Sequence, residues 1–271
     1  MGGHDLGRGA VATGRDPVAR AVADRLLAAG CVAADLEADE LIGAAPDGDA
    51  LEAWIRRRER GEPMAWITGR ARFCGRWLRV DPGVYVPRLQ SEELARRAAA
   101  LLGPVPAGRA IDLCTGTGAI AVHLSAEVPG AAVLGVEIDA RAARCARRNG
   151  ISTLIGDLDR PLRAASFDVV TAVAPYVPTA ELQLLPADVQ RYEPPAALDG
   201  GEDGLEVVRR VVAAAARLLV PGGWLLTEVG GAQDRALAPE LDAAGFEPAA
   251  PWCDEDGDLR GLAARRPDPG S

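Results

Sequence analysis

The sequence predicts an α/β fold: a mostly parallel sheet covered by helices on both faces, preceded by a small helical domain. Three observations carry the prediction. From Ser91 onward, short apolar runs alternate with stretches whose apolar residues recur every three or four positions. Those short runs are mostly apolar rather than alternating, as strands buried on both faces require. Before Ser91 the helical period dominates. The chain has 271 residues, 48% hydrophobic and 25% charged, which excludes a disordered chain and suffices for one large or two modest cores.

Residues 1–15 are Gly-rich and polar and read as a flexible tail. They lack the apolar stretch of a signal peptide, and the chain has no apolar run long enough to span a bilayer. The expected location is cytoplasmic, with no membrane partner. Residues 16–64 read as a helical N-terminal domain, with Ala19, Val22, Leu26 and Leu27 at helical spacing and further helices over 34–45 and 49–60. Residues 65–90 read as a β-hairpin linker. Its strands are expected over 66–69, 73–80 and 84–86, with turns at Gly69, Gly75 and Asp81-Pro82-Gly83. The main domain, 91–271, follows a boundary near 85–95. Helices are expected over 91–102, 119–127, 141–149, 204–219 and 233–244. Strands are expected over 109–113, 133–138, 152–155, 167–172, 224–229, 247–252 and 259–264, with a turn at Pro221-Gly222-Gly223.

Net charge is −9, and every one of the 30 basic residues is Arg. An acidic chain argues against stable nucleic-acid binding, which needs clustered cations. Arg56, Arg57, Arg58 and Arg60 form the one basic run singled out, and a solvated helix end explains it. The five cysteines are widely spaced without a CxxC pair, and the only histidines are His4 and His123. This argues against a disulfide framework or a zinc site, no metal ligands are expected, and His-dependent nucleophilic catalysis has little to work with. The five tryptophans are expected to pack in cores or interfaces.

The chemistry concentrates at Asp112-Leu113-Cys114-Thr115-Gly116-Thr117-Gly118, between a strand and a helix. Glycines there let backbone approach a ligand and present free N–H groups at a helix start. Glu137 follows 19 residues after Gly118, at the end of the next strand, where a carboxylate accepts hydrogen bonds from ribose hydroxyls. The position of Asp112 suits an ammonium, such as the methionine part of S-adenosylmethionine, and would repel a pyrophosphate. Gly156-Asp157-Leu158 follows the third strand, where an acid can bind an adenine amino group. The expected cofactor residues are Asp112, Cys114, Gly116, Thr117, Gly118, Glu137, Ile138, Asp157, Leu158 and Ala172, with Cys114 as a small filler rather than a nucleophile.

Several segments, in order, resemble the HemK/PrmC group of protein-(glutamine-N5) methyltransferases. Residues 61–69, Gly-Glu-Pro-Met-Ala-Trp-Ile-Thr-Gly, resemble its GEPLAYILG-like segment, and Val84-Tyr85-Val86-Pro87-Arg88 with Ser91-Glu92 resembles VLVPRPxTE. Residues 193–205 resemble EPxxALxGGxDGL, and Glu228-Val229-Gly230 with Gln233 resembles EIGxxQ. The resemblance covers the chain from about residue 16. It implies a substrate-holding helical N-terminal domain, a hairpin linker and a class I, Rossmann-like methyltransferase domain. It implies S-adenosylmethionine as cofactor, S-adenosylhomocysteine as product and an acceptor protein with an exposed Gln.

The chain departs from the family at one motif. Where the family carries Asn-Pro-Pro-Tyr, this chain has Val173-Ala174-Pro175-Tyr176. An amide nitrogen is a poor nucleophile because its lone pair is delocalised, with a rotation barrier of about 18–20 kcal/mol setting the scale. The resemblance implies that the Asn oxygen and the next residue's carbonyl accept the two amide N–H groups and orient the nitrogen. Ala174 keeps its carbonyl; Val173 offers no side-chain acceptor. Three readings stand: amide methylation with a replacement group, Thr171 or Gln90 being conceivable; methylation of an easier N, O or S acceptor on a small molecule or another protein; or cofactor binding without catalysis. Tyr176 is expected against the acceptor or the sulfonium. Arg88 is expected at substrate or paired with Glu92 or Glu93, and Glu193 as a base or a loop anchor.

Overall fold

The structure, a computed structural model, describes residues 16–160 and 162–268. The expected tail over 1–15 lies outside the described residues. The chain divides into two compact units, Met1–Thr68 and Gly69–Ser271.

In the first unit, Asp16 caps α1 (Pro17–Ala28) by accepting the Val18 N–H, with Pro17 in the first turn where no donor is missed. Helices α2 (Ala34–Ala44) and α3 (Gly48–Glu59) follow, the latter capped by Asp47. Leu26, Leu41, Ile55 and Ile67 meet in a small core. A fourth helix, α4 (Met64–Thr68), replaces the strand expected over 66–69. Trp66 and Ile67 favour strands intrinsically, but Pro63 starts a helical turn by accepting both their N–H groups, and burial of both side chains decides the outcome. Arg56, Arg57 and Arg58 bind Glu52, Glu62 and Glu37, so that run is internally paired rather than a basic patch.

The second unit opens with a hairpin, β1 (Arg70–Phe73) and β2 (Arg76–Arg79). Cys74 and Gly75 are both left-handed, the backbone a two-residue hairpin turn demands. The hairpin breaks the strand expected over 73–80. Residues 84–86 form no strand either: Val84 closes a turn on Asp81 and buries itself against Ala142 and Cys145. Trp77 is exposed beneath Arg70 rather than packed in a core.

The sheet follows α5 (Ser91–Leu102). Its elements are β3 (Arg109–Leu113), α6 (Ala119–Glu127), β4 (Ala132–Glu137), α7 (Ala140–Arg148), β5 (Thr153–Ile155), β6 (Phe167–Ala172), α8 (Ala187–Tyr192), α9 (Glu206–Leu218), β7 (Leu219–Thr227), α10 (Gln233–Ala243), β8 (Ala250–Cys253) and β9 (Leu259–Arg265). The seven strands run in the order β5-β4-β3-β6-β7-β9-β8, parallel through β7 and antiparallel beyond. Strand β7 starts at Leu219, so the expected turn at 221–223 lies inside it. Pairing of Gly222 and Gly223 with Arg266, and a register shift opposite Phe167–Val169, keep that stretch in the sheet. The short α8 had no counterpart in the sequence pattern.

Side chains alternate between the two faces. Ile111, Leu113, Val170 and Ala172 join the core under α9 and α10. Ala110, Val169 and Leu226 join the core under α5 and α6. The chain moves outward from β3 through β4 to β5, then returns to place β6 on the other side of β3. Such a switch point leaves a crevice at the strands' C-terminal ends, where ligands bind in open α/β sheets.

Candidate active site

Residues at the end of β3 build one wall of that crevice. Cys114, Gly116 and Gly118 are all left-handed, with φ of 54°, 57° and 82°. Glycine at 118 is required by packing: a Cβ there would sit 3.2 Å from the Ala146 Cβ and 3.3 Å from Ile151. At Gly116 a Cβ would meet nothing within 4 Å. Asp112, almost fully buried, accepts hydroxyl hydrogen bonds from Thr115 at 2.6 Å and Thr171 at 2.7 Å. Burial pushes its carboxyl up to about 6, against the pull of the two hydroxyls. Glu137, at the end of β4, accepts the Gly116 N–H at 2.8 Å and the Asp139 N–H at 3.0 Å. Its carboxyl is also raised by burial. Asp157 pairs with Arg210 at 2.5 Å, and Leu158 is held left-handed beside it.

These residues surround a cavity of about 260 Å³, lined among others by Gly116, Glu137, Ile138, Asp157 and Leu158, with Val173 and Pro175 on its far side. A smaller recess of about 40 Å³ is lined by Asp112, Thr115, Thr117, Tyr85, Ser91 and Val173. Cys114 borders both, with its thiol raised by burial and therefore protonated at neutral pH. Ala172 and Ala174 are buried in the core under α9 and α10 and do not line the cavity. Tyr85, Ala142, Val207 and Arg210 also line it. Of these, Tyr85 lies in a segment the sequence had singled out; the others had no local signal.

The Val173–Tyr176 stretch is held from below by the glycines of 200–204. A Cβ on Gly204 would lie 2.3 Å from the Tyr176 carbonyl oxygen, and one on Gly200 would lie 2.8 Å from that of Pro175. Gln233 donates to the Tyr176 carbonyl at 2.9 Å. The Tyr176 hydroxyl accepts from the Gln90 side-chain amide at 2.8 Å. Of the two conceivable replacements for the missing Asn, Thr171 is fully buried with its hydroxyl committed to Asp112, whereas Gln90 stands at the edge itself.

Arg88 pairs with Glu193 at 2.5 Å and covers the Tyr85 ring, not with Glu92 or Glu93. Those two are taken by Arg96 and Arg97. Glu193 is buried; its second carboxylate oxygen has no hydrogen-bond partner, and burial raises its carboxyl despite Arg88. Glu228, just past β7, is 2% exposed, and neither of its oxygens has a partner. The side chains of Ser91, Gln90 and Tyr176 face it without reaching hydrogen-bonding geometry, and burial raises its carboxyl.

A crevice at this switch point, a Gly-rich turn and an acid closing the next strand are shared by nucleotide-binding α/β folds, and with the buried Asp112 they fit a class I methyltransferase. A model of the methyltransferase domain matches residues 110–192. A ribosomal protein methylase from Lactobacillus delbrueckii subsp. bulgaricus shares the fold, with a TM-score of 0.50 and 18% identity over 70% of this chain and 85% of that one. The chain is 38% identical to a release factor glutamine methyltransferase of Geobacter sulfurreducens, over 73% of this chain and 71% of that protein. It is 39% identical to a 4-amino-L-phenylalanine/4-methylamino-L-phenylalanine methyltransferase of Streptomyces pristinaespiralis, over 82% and 79%. The chain belongs to the HemK/PrmC-type family of S-adenosylmethionine-dependent methyltransferases. Among the described residues, no helix is long and apolar enough to cross a membrane.

Proposed function

We propose that this chain methylates the side-chain amide nitrogen of a glutamine in an acceptor protein of release-factor type. The observation that carries the reading is that Val173 and Pro175 face the same cavity as Glu137, Ile138 and Asp157, so cofactor and acceptor edges converge. The residues present fit S-adenosylmethionine. The open space at Gly116 admits a ligand against backbone, and Asp112 is a buried anion for an ammonium group. Glu137 retains acceptor capacity for ribose hydroxyls, and Asp157 with Leu158 and the exposed Ile138 borders the adenine position. Bound there, the cofactor supplies a methyl group on a cationic sulfur, open to direct displacement.

The protein's task is orientation. The Ala174 side chain is buried, but its backbone runs between the cavity-lining Val173 and Pro175, so its carbonyl is the acceptor for one amide N–H, and Tyr176, anchored by Gln90 and Gln233, walls the acceptor in. Proximity and aimed acceptors account for most of the acceleration such a site needs. Arg88 holds Glu193, and the pair anchors the loop that carries Pro194 into the cavity wall.

A second reading, methylation of an amine on a small aromatic amino acid, is favoured by Val173, since an amine needs no two-point clamp. It is also the chemistry named for the Streptomyces pristinaespiralis relative. The test is to incubate the protein with methyl-labelled S-adenosylmethionine, host extract and purified bacterial release factor, then separate macromolecules from small molecules. Label in the release factor supports the first reading; label only in the small-molecule fraction supports the second.

A further inference from the structure

Strand register brings one unused group beside the position vacated by Asn. Thr171 pairs with Leu226 and Ala172 with Thr227. One step further, Val173 lies beside Glu228, and the Glu228 N–H reaches the Ala172 carbonyl at 3.3 Å. Neighbours across a parallel pair point to the same face. Val173 and Leu226 both pack into the core under α5 and α6, so Glu228, two residues beyond Leu226, points to that face as well. Adjacent strands lie about 4.8 Å apart, and a glutamate extends one methylene further than an asparagine. Its carboxylate can therefore approach the space that the shorter Asn side chain would serve from position 173.

Glu228 is also a buried carboxylate that the chain holds only loosely. Buried acceptors are almost always hydrogen-bonded, and leaving one unpaired costs about 1–3 kcal/mol, more when charged. Both its oxygens lack partners, while of the groups around it Ser91 lines the smaller recess together with Asp112 and Val173, and Gln90 and Tyr176 bond to each other beside it. Gln90 is exposed, so one part of the covering over the carboxylate is a surface side chain that can give way, while Ser91 and Tyr176 stay in place.

We propose that Glu228 replaces the missing Asn: its carboxylate accepts one N–H of the acceptor amide while the Ala174 carbonyl accepts the other; as the N–CH3 bond forms and the C–S bond breaks, S-adenosylhomocysteine leaves neutral and the nitrogen's surplus proton passes to solvent. The assignment rests on the N-methyl transfer reading above. It makes the acceptor an N–H-bearing nitrogen and disfavours anionic acceptors, since a carboxylate or thiolate would face Glu228 directly.

The test compares Glu228→Ala, Glu228→Gln and the double variant Val173→Asn/Glu228→Ala, using labelled S-adenosylmethionine with purified release factor and, in parallel, host extract. Cofactor affinity is followed by calorimetry. Glu228→Ala should lower transfer by about 10²-fold, the usual loss for a positioned polar group, with cofactor affinity unchanged. Glu228→Gln keeps an acceptor oxygen and nearly the same shape, so it should retain clearly more activity than the alanine variant. Adding Val173→Asn should restore most of what Glu228→Ala loses, a rescue that a purely structural role would not give. Full activity in Glu228→Ala, or failure of the rescue, overturns the assignment. Equal inactivity of Glu228→Ala and Glu228→Gln also overturns it, since the carboxylate would then serve to remove a proton rather than to accept a hydrogen bond. If the release factor takes no label but an extract component does, the glutamine reading fails and the same variants still judge Glu228 on that component. An extract with no labelled acceptor contradicts both.

Discussion

The two sides of the cavity hold their carboxylates differently. On the β3–β4 side, Asp112 takes two hydroxyls, Glu137 takes two backbone amides and Asp157 takes an arginine. On the β6–β7 side, Glu193 has one oxygen bonded and Glu228 has none. The first side is internally satisfied, as suits a ligand that every reaction cycle shares. The second keeps buried acceptors whose desolvation the chain offsets only in part, as suits a site completed by the donor groups of its substrate.

The comparison breaks first at Asp112. Asp112→Ala should weaken S-adenosylmethionine binding by about 10²-fold or more, since a buried charge partner of an ammonium contributes on the order of 3 kcal/mol. Unchanged affinity in calorimetry would remove the β3–β4 side from cofactor binding. Arg88→Ala acts on the opposite side. It leaves Glu193 buried without its partner and should lower unfolding stability by roughly 1–3 kcal/mol in urea titration, with a smaller loss of cofactor affinity than Asp112→Ala gives.

Acid pH sharpens the contrast. Asp112 is raised to about 6 in the free protein, and a bound ammonium favours its ionised form. Cofactor affinity should therefore fall as pH drops below about 6, approaching tenfold per unit, and level off above it. In the free protein the same shift runs the other way. The folded state keeps a proton that the unfolded chain has released, so this group's contribution declines as pH rises from about 4 through about 6. A flat affinity profile between pH 5 and 7 would contradict the role of Asp112. The smallest effect belongs to Val173→Asn, expected to leave transfer to glutamine intact or raise it several-fold; a large loss would mean a pocket shaped for another acceptor.

The β3–β4 side was legible in the sequence because its parts are local. The strand at 109–113, the Gly turn and Glu137 follow one another within one βαβ unit, and the structure keeps the expected bounds of β3 and β6. The other side comes together through topology. Arg88 meets Glu193 across 105 positions, where sequence proximity suggested Glu92 or Glu93. Glu228 gains its neighbour only because β7 pairs with β6. Its EIGxxQ-like segment was noticed, but burial without a partner is a three-dimensional property. The helix at 64–68 escaped because strand-favouring side chains were overruled by core burial, and the early start of β7 because a Pro-Gly-Gly run normally ends a strand.

The central claim is that nitrogen of a glutamine amide is the acceptor, and tandem mass spectrometry of release factor incubated with the protein and S-adenosylmethionine tests it most directly. The account predicts a single added methyl group carried on a glutamine side chain, absent when Asp112→Ala replaces the native protein. An unmodified release factor beside a methylated small-molecule amine would contradict it.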